Sequence, residues 1–327
     1  MPTDRLRSIV PMFGGATSYV DTLDAIIEFV EGYNPTTDEL VGWHRGPFAN
    51  VSSKDSILRR VSYLQQVGFL RQADDHWELG DTGSTYVQQQ ETATLLRIMC
   101  ERNVGLRSLL YALSAAPMSL GEISTQQLDT HPELGWSPEQ TDMATQRINW
   151  LRSMGLIAKH GHEFHLTDDG RQFVSQAVEE WSATNGPTAD DTESTAGTYE
   201  TMIHARVVDP EFRATILSRH DQTCPISGVD HPSLLDVAHV LSWSDYPEHR
   251  ADVTNVLPLS KTHHAAFDRG LFTINQDYCL QINPEFETQS NLLQRTLIDR
   301  AGQPVALPDG SVDPGYVSRH NAALEWV

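Results

Sequence analysis

Lysine is nearly missing from this chain: Lys54, Lys159 and Lys261 are the only three, and every other basic residue is an arginine. With 23 Lys and Arg against 44 Asp and Glu, the formal net charge is −21. An excess of that sign opposes a polyanionic partner at low ionic strength. Yet an acidic surface almost free of lysine is also what stays hydrated in molar salt, where at ~1 M the Debye length is only about 3 Å. Net charge therefore does not exclude DNA from a halophilic protein, and an ordinary acidic protein that never meets a polyanion remains the other reading of the composition. Cysteine is scarce too. Cys100, Cys224 and Cys279 lie far apart with no C-x-x-C pair, which excludes a disulfide framework and a zinc ribbon and reads as buried thiols. No apolar run approaches the roughly 18 residues of a membrane span, and no basic-then-apolar leader opens the chain. The expectation is a soluble, cytoplasmic protein of two or three domains.

What is present first is a repeat. Residues 60–87 match residues 147–174 without a gap at an offset of 87. Arg60, Val61, Leu64, Gly68, Phe69, Leu70, Trp77, Leu79, Asp81, Gly83, Tyr86 and Val87 fall on Arg147, Ile148, Leu151, Gly155, Leu156, Ile157, Phe164, Leu166, Asp168, Gly170, Phe173 and Val174. Each copy predicts a helix, a glycine stop, a two-stranded hairpin and another helix. In the second copy Ser137 is the expected N-cap, with Pro138 at the first helical position and Gln140 closing a capping box. The stripe of Ala144, Ile148, Leu151 and Gly155 gives that helix one buried face.

Helices followed directly by a short hairpin resemble a winged helix-turn-helix domain, here two in tandem over 1–90 and 91–180. In that family the helix before the hairpin enters the major groove. The resemblance implies DNA contacts from Arg59 and Arg60 in the first copy and from Arg147 and Arg152 in the second. Winged helices also serve as protein-binding modules, and that alternative stands. Residues 181–199 turn abruptly small, polar and acidic, the composition of a flexible linker.

The last third, 200–327, carries the chemistry. A strand-like run, Leu235-Asp236-Val237-Ala238-His239-Val240, delivers one histidine; Asn255 follows in a second such run, and then His263, His264, Phe267, Asp268, Arg269 and Gly270. Positions i and i+4 place His264 and Asp268 on one helical face. The chain has 14 histidines, so spacing alone is weak. The joint pattern is specific: Cys224 to Gly228, Ala238-His239-Val240, Trp243, Asn255 to Leu259, and His264 to Phe272. It resembles the ββα-metal finger of HNH endonucleases of the restriction type, and the tail around Pro304–Pro308, Asp313-Pro314 and Arg319-His320 resembles the segment that closes such domains.

That resemblance implies a phosphodiester hydrolase. His239 is the implied general base, since an imidazole titrates near working pH. His264 and Asp268 suit one divalent metal ion, Mg²⁺ or Mn²⁺ first and Zn²⁺ or Ni²⁺ second, with positions left open for phosphate and water. Asn255 fixes the loop and the base or joins the metal shell. Ala238 stands where many such fingers have a metal ligand, and Asp236 on the same strand face is the expected substitute through water. His263 is either a third ligand or phosphate contact or a helix-start residue, and Arg269 either holds the cleaved phosphate or forms an ion pair. The expected whole is an α+β protein, two tandem winged helices ahead of a ββα-metal nuclease, cutting double-stranded DNA in a restriction or defence role and dimerising where both strands are cut. The alternative is a non-catalytic winged-helix regulator that keeps the HNH fold, and a third reading is a protein-assembly module.

Overall fold

The computed structural model describes residues 5–48, 53–185 and 209–327, apart from the side chains of 178–185. Helix and sheet are mixed, as in an α+β protein. Backbone contacts divide the chain into two compact units, Met1–Leu109 with Pro117–Arg171 and Leu110–Ala116 with Gln172–Val327.

Along residues 19–185 the elements run α1 (Tyr19–Tyr33), α2 (Thr37–His44), α3 (Lys54–Val67), β1 (Leu70–Ala73), β2 (His76–Leu79), α4 (Asp81–Gln89) and α5 (Thr92–Arg102). Then come α6 (Leu106–Ala115), β3 (Met118–Ser119), α7 (Leu120–Thr130), α8 (Asp142–Ser153), β4 (Ile157–His160), β5 (Glu163–Leu166) and α9 (Asp168–Asn185). The 87-residue repeat is realised bond by bond. After α3, Gly68 takes a left-handed φ of 96° and Phe69 N–H reaches back to Leu64 O at 2.9 Å; after α8, Gly155 has φ 76° and Leu156 N–H reaches Leu151 O at 3.0 Å. The hairpins share one register, Leu70 opposite Leu79 and Ile157 opposite Leu166. Val61, Leu64, Phe69 and Trp77 are buried in one copy, and Ile148, Leu151, Leu156 and Phe164 in the other.

The repeat reaches further back than the sequence match. Thr36 and Ser119 form capping boxes with Glu39 and Glu122 at the starts of α2 and α7. Thr36 bridges His76, and Ser119 pairs with Glu163, the counterpart of His76. Here the offset is 83, so the loops before α3 and α8 differ in length and hide the correspondence from an ungapped comparison.

Two local expectations change. Helix α8 starts at Asp142 rather than just after Ser137. Gln140 does reach back to Ser137 N–H at 3.3 Å, but the Ser137 hydroxyl goes to Glu139, so the half-formed box closes a turn and not a helix. Residues 181–185 of the predicted linker continue α9, and 186–199 lie outside the described residues.

In the C-terminal part, Asp209 caps α10 (Pro210–Arg219) by accepting from Glu211 and Phe212 N–H. There follow β6 (Leu235–His239), β7 (Val256–Ser260), α11 (Lys261–Asp268), β8 (Phe272–Ile274), β9 (Leu280–Ile282), α12 (Asn291–Thr296) and α13 (Pro314–Asn321). Strands β6 and β7 pair antiparallel, as do β8 and β9. Leu235, Ala238, Leu257, Leu259, Phe267, Phe272, Leu280 and Val317 share one buried cluster, so α11 packs on the two strands that precede it. The tail closes this core: Val305 N–H bonds Tyr278 O, Asp313 N–H bonds Thr254 O, and Asn321 Nδ2 donates to Ile274 O.

Candidate active site

Two strands and a helix place the polar residues. In β6 side chains alternate, so Asp236 and Ala238 share one face. Ser260 ends β7 and is the N-cap of α11, and its backbone carries the chain straight into the helix bearing His264 and Asp268. His264, only 4% exposed, lies between two carboxylates: Nδ1 is 3.5 Å from Asp236 Oδ2, and Nε2 is 3.4 Å from Asp268 Oδ2.

The donor set fits a small divalent cation. Bonds of roughly 2.0–2.2 Å to an ion hold neighbouring donors about 3–3.5 Å apart, which is the spacing seen at both edges of the ring. His264 Nδ1 is buried and has no hydrogen-bond partner, a cost that a bound cation shared with Asp236 removes. Asp236 thus stands in direct range of His264, where the sequence had suggested a link through water. Among the described residues no three His, Cys, Asp or Glu side chains form a cluster able to hold a metal ion, so this is an open pair of donors and not a closed cage.

His239 ends β6 and is held from the loop that joins the strands. Its Nε2 is 3.1 Å from Arg250 O. A carbonyl only accepts, so Nε2 carries the proton in the neutral ring and Nδ1 is the basic nitrogen. The loop itself is pinned by Asn255, 1% exposed: Oδ1 accepts Leu241 N–H at 2.8 Å and Nδ2 donates to His249 O at 3.1 Å. Arg250 Nε donates to Trp243 O at 2.7 Å, its guanidinium lies over the Trp243 ring, and that ring meets His239 edge-on at 4.9 Å. Asn255 thus pins the loop whose Arg250 carbonyl holds the His239 ring. The part played by Arg250 had no sequence signal, because it acts through a backbone carbonyl that any residue carries.

Residues 224–275 match the family model of HNH endonucleases. This stretch contains His239, Asn255, His264, Asp268 and Arg269, and leaves out both the N-terminal repeat and the tail. No curated protein matches the chain. Among solved structures the chain is similar to the binding domain of the BpuJ1 endonuclease, crystallised with pyrene- and phenanthrene-modified DNA. The identity is 12% and the TM-score 0.36, over 62% of this chain and 96% of that one, a likeness too loose to argue from.

Other predicted residues of this HNH stretch and of the repeat have different surroundings. His263 is fully buried, with Nδ1 on Ser260 Oγ at 2.7 Å and Nε2 on Thr296 Oγ1 at 2.8 Å, so both nitrogens are spent inside the core and neither faces a phosphate. Arg269 is exposed and gives one nitrogen to Ala265 O at 3.0 Å. Arg147 is fully buried: its guanidinium donates to Val104, Met143 and Arg7 carbonyls and lies over Trp136, and burial pulls its pKa down to about 10. Its repeat mate Arg60 is half-buried, donates to the Ser56 carbonyl four residues back and lies 3.8 Å over Phe13. The repeated arginine is thus a packing device, and it is Arg59, exposed, and Arg152, half-buried, that remain toward solvent.

Burial also sets an acid limit on stability. His263 is pulled from 6.5 down to about 4 chiefly by burial and then by the Arg300 charge, and His220 likewise by burial and Arg219. Between those values the unfolded chain binds protons that the folded one refuses, so stability is complete above about pH 6.5 and declines as pH falls toward about 4. Urea midpoints should drop between about pH 7 and about pH 5, and His263→Gln should flatten the slope; an unchanged slope would place His263 elsewhere.

Proposed function

We propose that the chain is a metal-dependent DNA endonuclease of the HNH kind, with its target chosen by the N-terminal repeat. The observation that carries this reading is the join of the HNH match with a His239 ring bonded through Nε2 to a carbonyl and a buried His264 flanked by the Asp236 and Asp268 carboxylates on the same ββα unit. His239 Nδ1 takes the proton of the attacking water as its oxygen bonds to phosphorus. The bond from phosphorus to the leaving sugar oxygen breaks, and that oxygen leaves with the electron pair and is protonated by solvent. One nitrogen of His264 with the carboxylate on that side of the ring, Asp236 at Nδ1 or Asp268 at Nε2, would hold the metal ion, Mg²⁺ or Mn²⁺ by donor type, which when bound would draw charge from the phosphate oxygens. In this reading the exposed guanidinium of Arg269 would meet the cleaved phosphate.

In this reading 1–90 and 91–180 are winged helices, 181–199 a linker and 200–327 the nuclease. The order of three helices, hairpin and helix, α1 to α4 in the first copy and α6 to α9 after the additional α5 in the second, with a β bridge ahead of α2 and α7, supports it. Double-stranded DNA is the partner, and a homodimer supplies the second cut. Incubating supercoiled plasmid, modified and unmodified, with the protein and Mg²⁺ or Mn²⁺ in molar salt should give nicked or linear product that a chelator abolishes. Asp268→Ala should lower activity in a way that excess metal partly restores. Cleavage indifferent to chelator would overturn the metal dependence, and no cleavage under any metal would favour the non-catalytic regulator. That alternative draws its support from the lack of a three-ligand cluster among the described residues.

The arginines give a separate test. Arg59→Ala and Arg152→Ala should each weaken DNA binding and lower the salt slope by about 0.9 for each phosphate that is no longer neutralised. Arg147→Met should leave that slope alone but destabilise the fold, since each carbonyl left without its donor costs about 1–3 kcal/mol. The opposite pattern would return Arg147 to the DNA surface.

A further inference from the structure

The helices ahead of the two hairpins, α3 and α8, align at the offset of 87, yet their outer faces meet different surroundings. Asp55, Arg59, Ser62 and Gln66 of α3 are spaced i, i+4, i+7 and i+11 and so share one face; their counterparts in α8 are Asp142, Gln146, Asn149 and Ser153. From Gln146 onward the α8 stripe is spent on the start of α1. Gln146 Oε1 accepts the Tyr19 hydroxyl at 2.9 Å, Asn149 Nδ2 donates to Tyr19 Oη at 3.3 Å, and Ser153 Oγ accepts Val20 N–H at 2.7 Å. Tyr19 is buried, and its ring meets Trp150 of α8 edge-on at 5.5 Å. On α3 all four residues of the stripe are exposed, and Gln66 Nε2 donates to Ser62 Oγ at 3.3 Å within it.

We infer that only the first copy reads base sequence: Arg59, Ser62 and Gln66 of α3 are specificity-determining residues for the major groove of duplex DNA, and α8 is a structural helix whose equivalent face α1 already fills. This rests on the winged-helix, DNA-cutting reading above and adds which copy reads and with which side chains. The repeat itself supplies the argument. Where the chain covers the stripe, its residues are neutral Gln, Asn and Ser, matched to a tyrosine hydroxyl and a backbone amide. Where the stripe is exposed, Gln146 is replaced by Arg59. Lys54 is paired with Asp38, but Arg59 has no ion pair among the described residues, in a chain with 44 acidic side chains. Its charge, after burial, helps hold the adjacent Arg60 guanidinium below its ordinary pKa. Neighbouring guanidiniums of this kind are relieved by a polyanion. The residue types suit base edges as well: arginine pairs with guanine, glutamine with adenine, serine with either, and Asp55 accepts from a cytosine amino group. Arg152 lies off the covered stripe, so a phosphate contact from α8 stays compatible with this assignment.

Selection from a pool of randomised duplexes, with the full-length protein and a chelator so that nothing is cut, tests the assignment without relying on cleavage. The wild type should enrich one motif. Arg59→Ala and Gln66→Ala should each lose about tenfold or more in discrimination at a base pair of that motif, with melting temperatures near wild type because both side chains are exposed. Gln146→Ala and Ser153→Ala should do the reverse, lowering the melting temperature and leaving the motif intact. A motif altered by the α8 variants and indifferent to the α3 variants, or altered equally by both sets, would overturn the inference while leaving DNA recognition by the repeat standing. Binding with no enriched motif would overturn it too, since α3 would then read nothing. Dispersal of a homodimer by Gln66→Arg with the motif unchanged would make this face a contact between copies and likewise overturn it. A wild-type protein that binds no duplex at all would instead remove the reading on which the inference rests.

Discussion

Replacing His239 by alanine is expected to lower the rate of DNA cleavage by roughly 10²–10⁴-fold while DNA affinity and the melting temperature stay close to wild type. The ring is half-buried at a strand end, where it meets a backbone carbonyl and the edge of Trp243 rather than the apolar core cluster. Loss of a general base raises the barrier for water attack without changing how the phosphate backbone is held. Single-turnover cleavage and binding titrations on the same preparation would separate the two. A variant that cuts at the wild-type rate removes His239 as the base; one that loses affinity in proportion to rate makes it a binding residue instead.

The second large effect is on stability. Gly83→Ala and Gly170→Ala should each destabilise the protein by roughly 2–4 kcal/mol, combining overpacking against a fixed backbone with a weakened hydrogen bond. A methyl group on Gly83 would lie 2.1 Å from Phe69 O, and one on Gly170 would lie 2.3 Å from Leu156 O. Those carbonyls cannot step aside, because they accept Gly80 N–H at 2.9 Å and Thr167 N–H at 3.0 Å and so fix the hairpin to the helix that follows. Gly121→Ala is the control: its methyl group meets nothing within 4 Å on α7, and alanine's better helix propensity predicts no loss. Denaturant midpoints at constant m-value decide it. Equal midpoints for all three variants would mean that the close approach at Gly83 and Gly170 is not a feature of the folded chain.

The repeated glycines show how sequence and structure divide the account. The offset of 87 was legible because each copy buries the same side chains and makes the same hairpin register, which forces matching residue types at Leu64 and Leu151, Gly68 and Gly155, Trp77 and Phe164. The matching pair Thr36 and Ser119 was not legible, since a capping box constrains only two residues and the loop beyond it is free to change length. Around the site, the strand, strand and helix order could be read from alternation and from Ser260 and Gly270, which are local signals.

By itself the sequence determined the elements and the short-range pairings: the ββα order, the i, i+4 placement of His264 and Asp268, and the position of His239 at a strand end. Periodicity and spacing encode such things directly, because they act within a few residues. Only the tertiary structure decided which polar groups stay open to solvent and which are spent holding the core. Arg147 meets the carbonyl of Arg7, 140 residues away, and His263 meets Thr296, 33 residues away. Arg147 reads as a DNA contact, and His263 as a metal ligand or phosphate contact, because both are cationic or basic side chains beside functional motifs. A buried side chain takes its role from whatever acceptor the fold brings within about 3 Å, and that acceptor is as often a distant backbone carbonyl, which leaves no mark in the sequence.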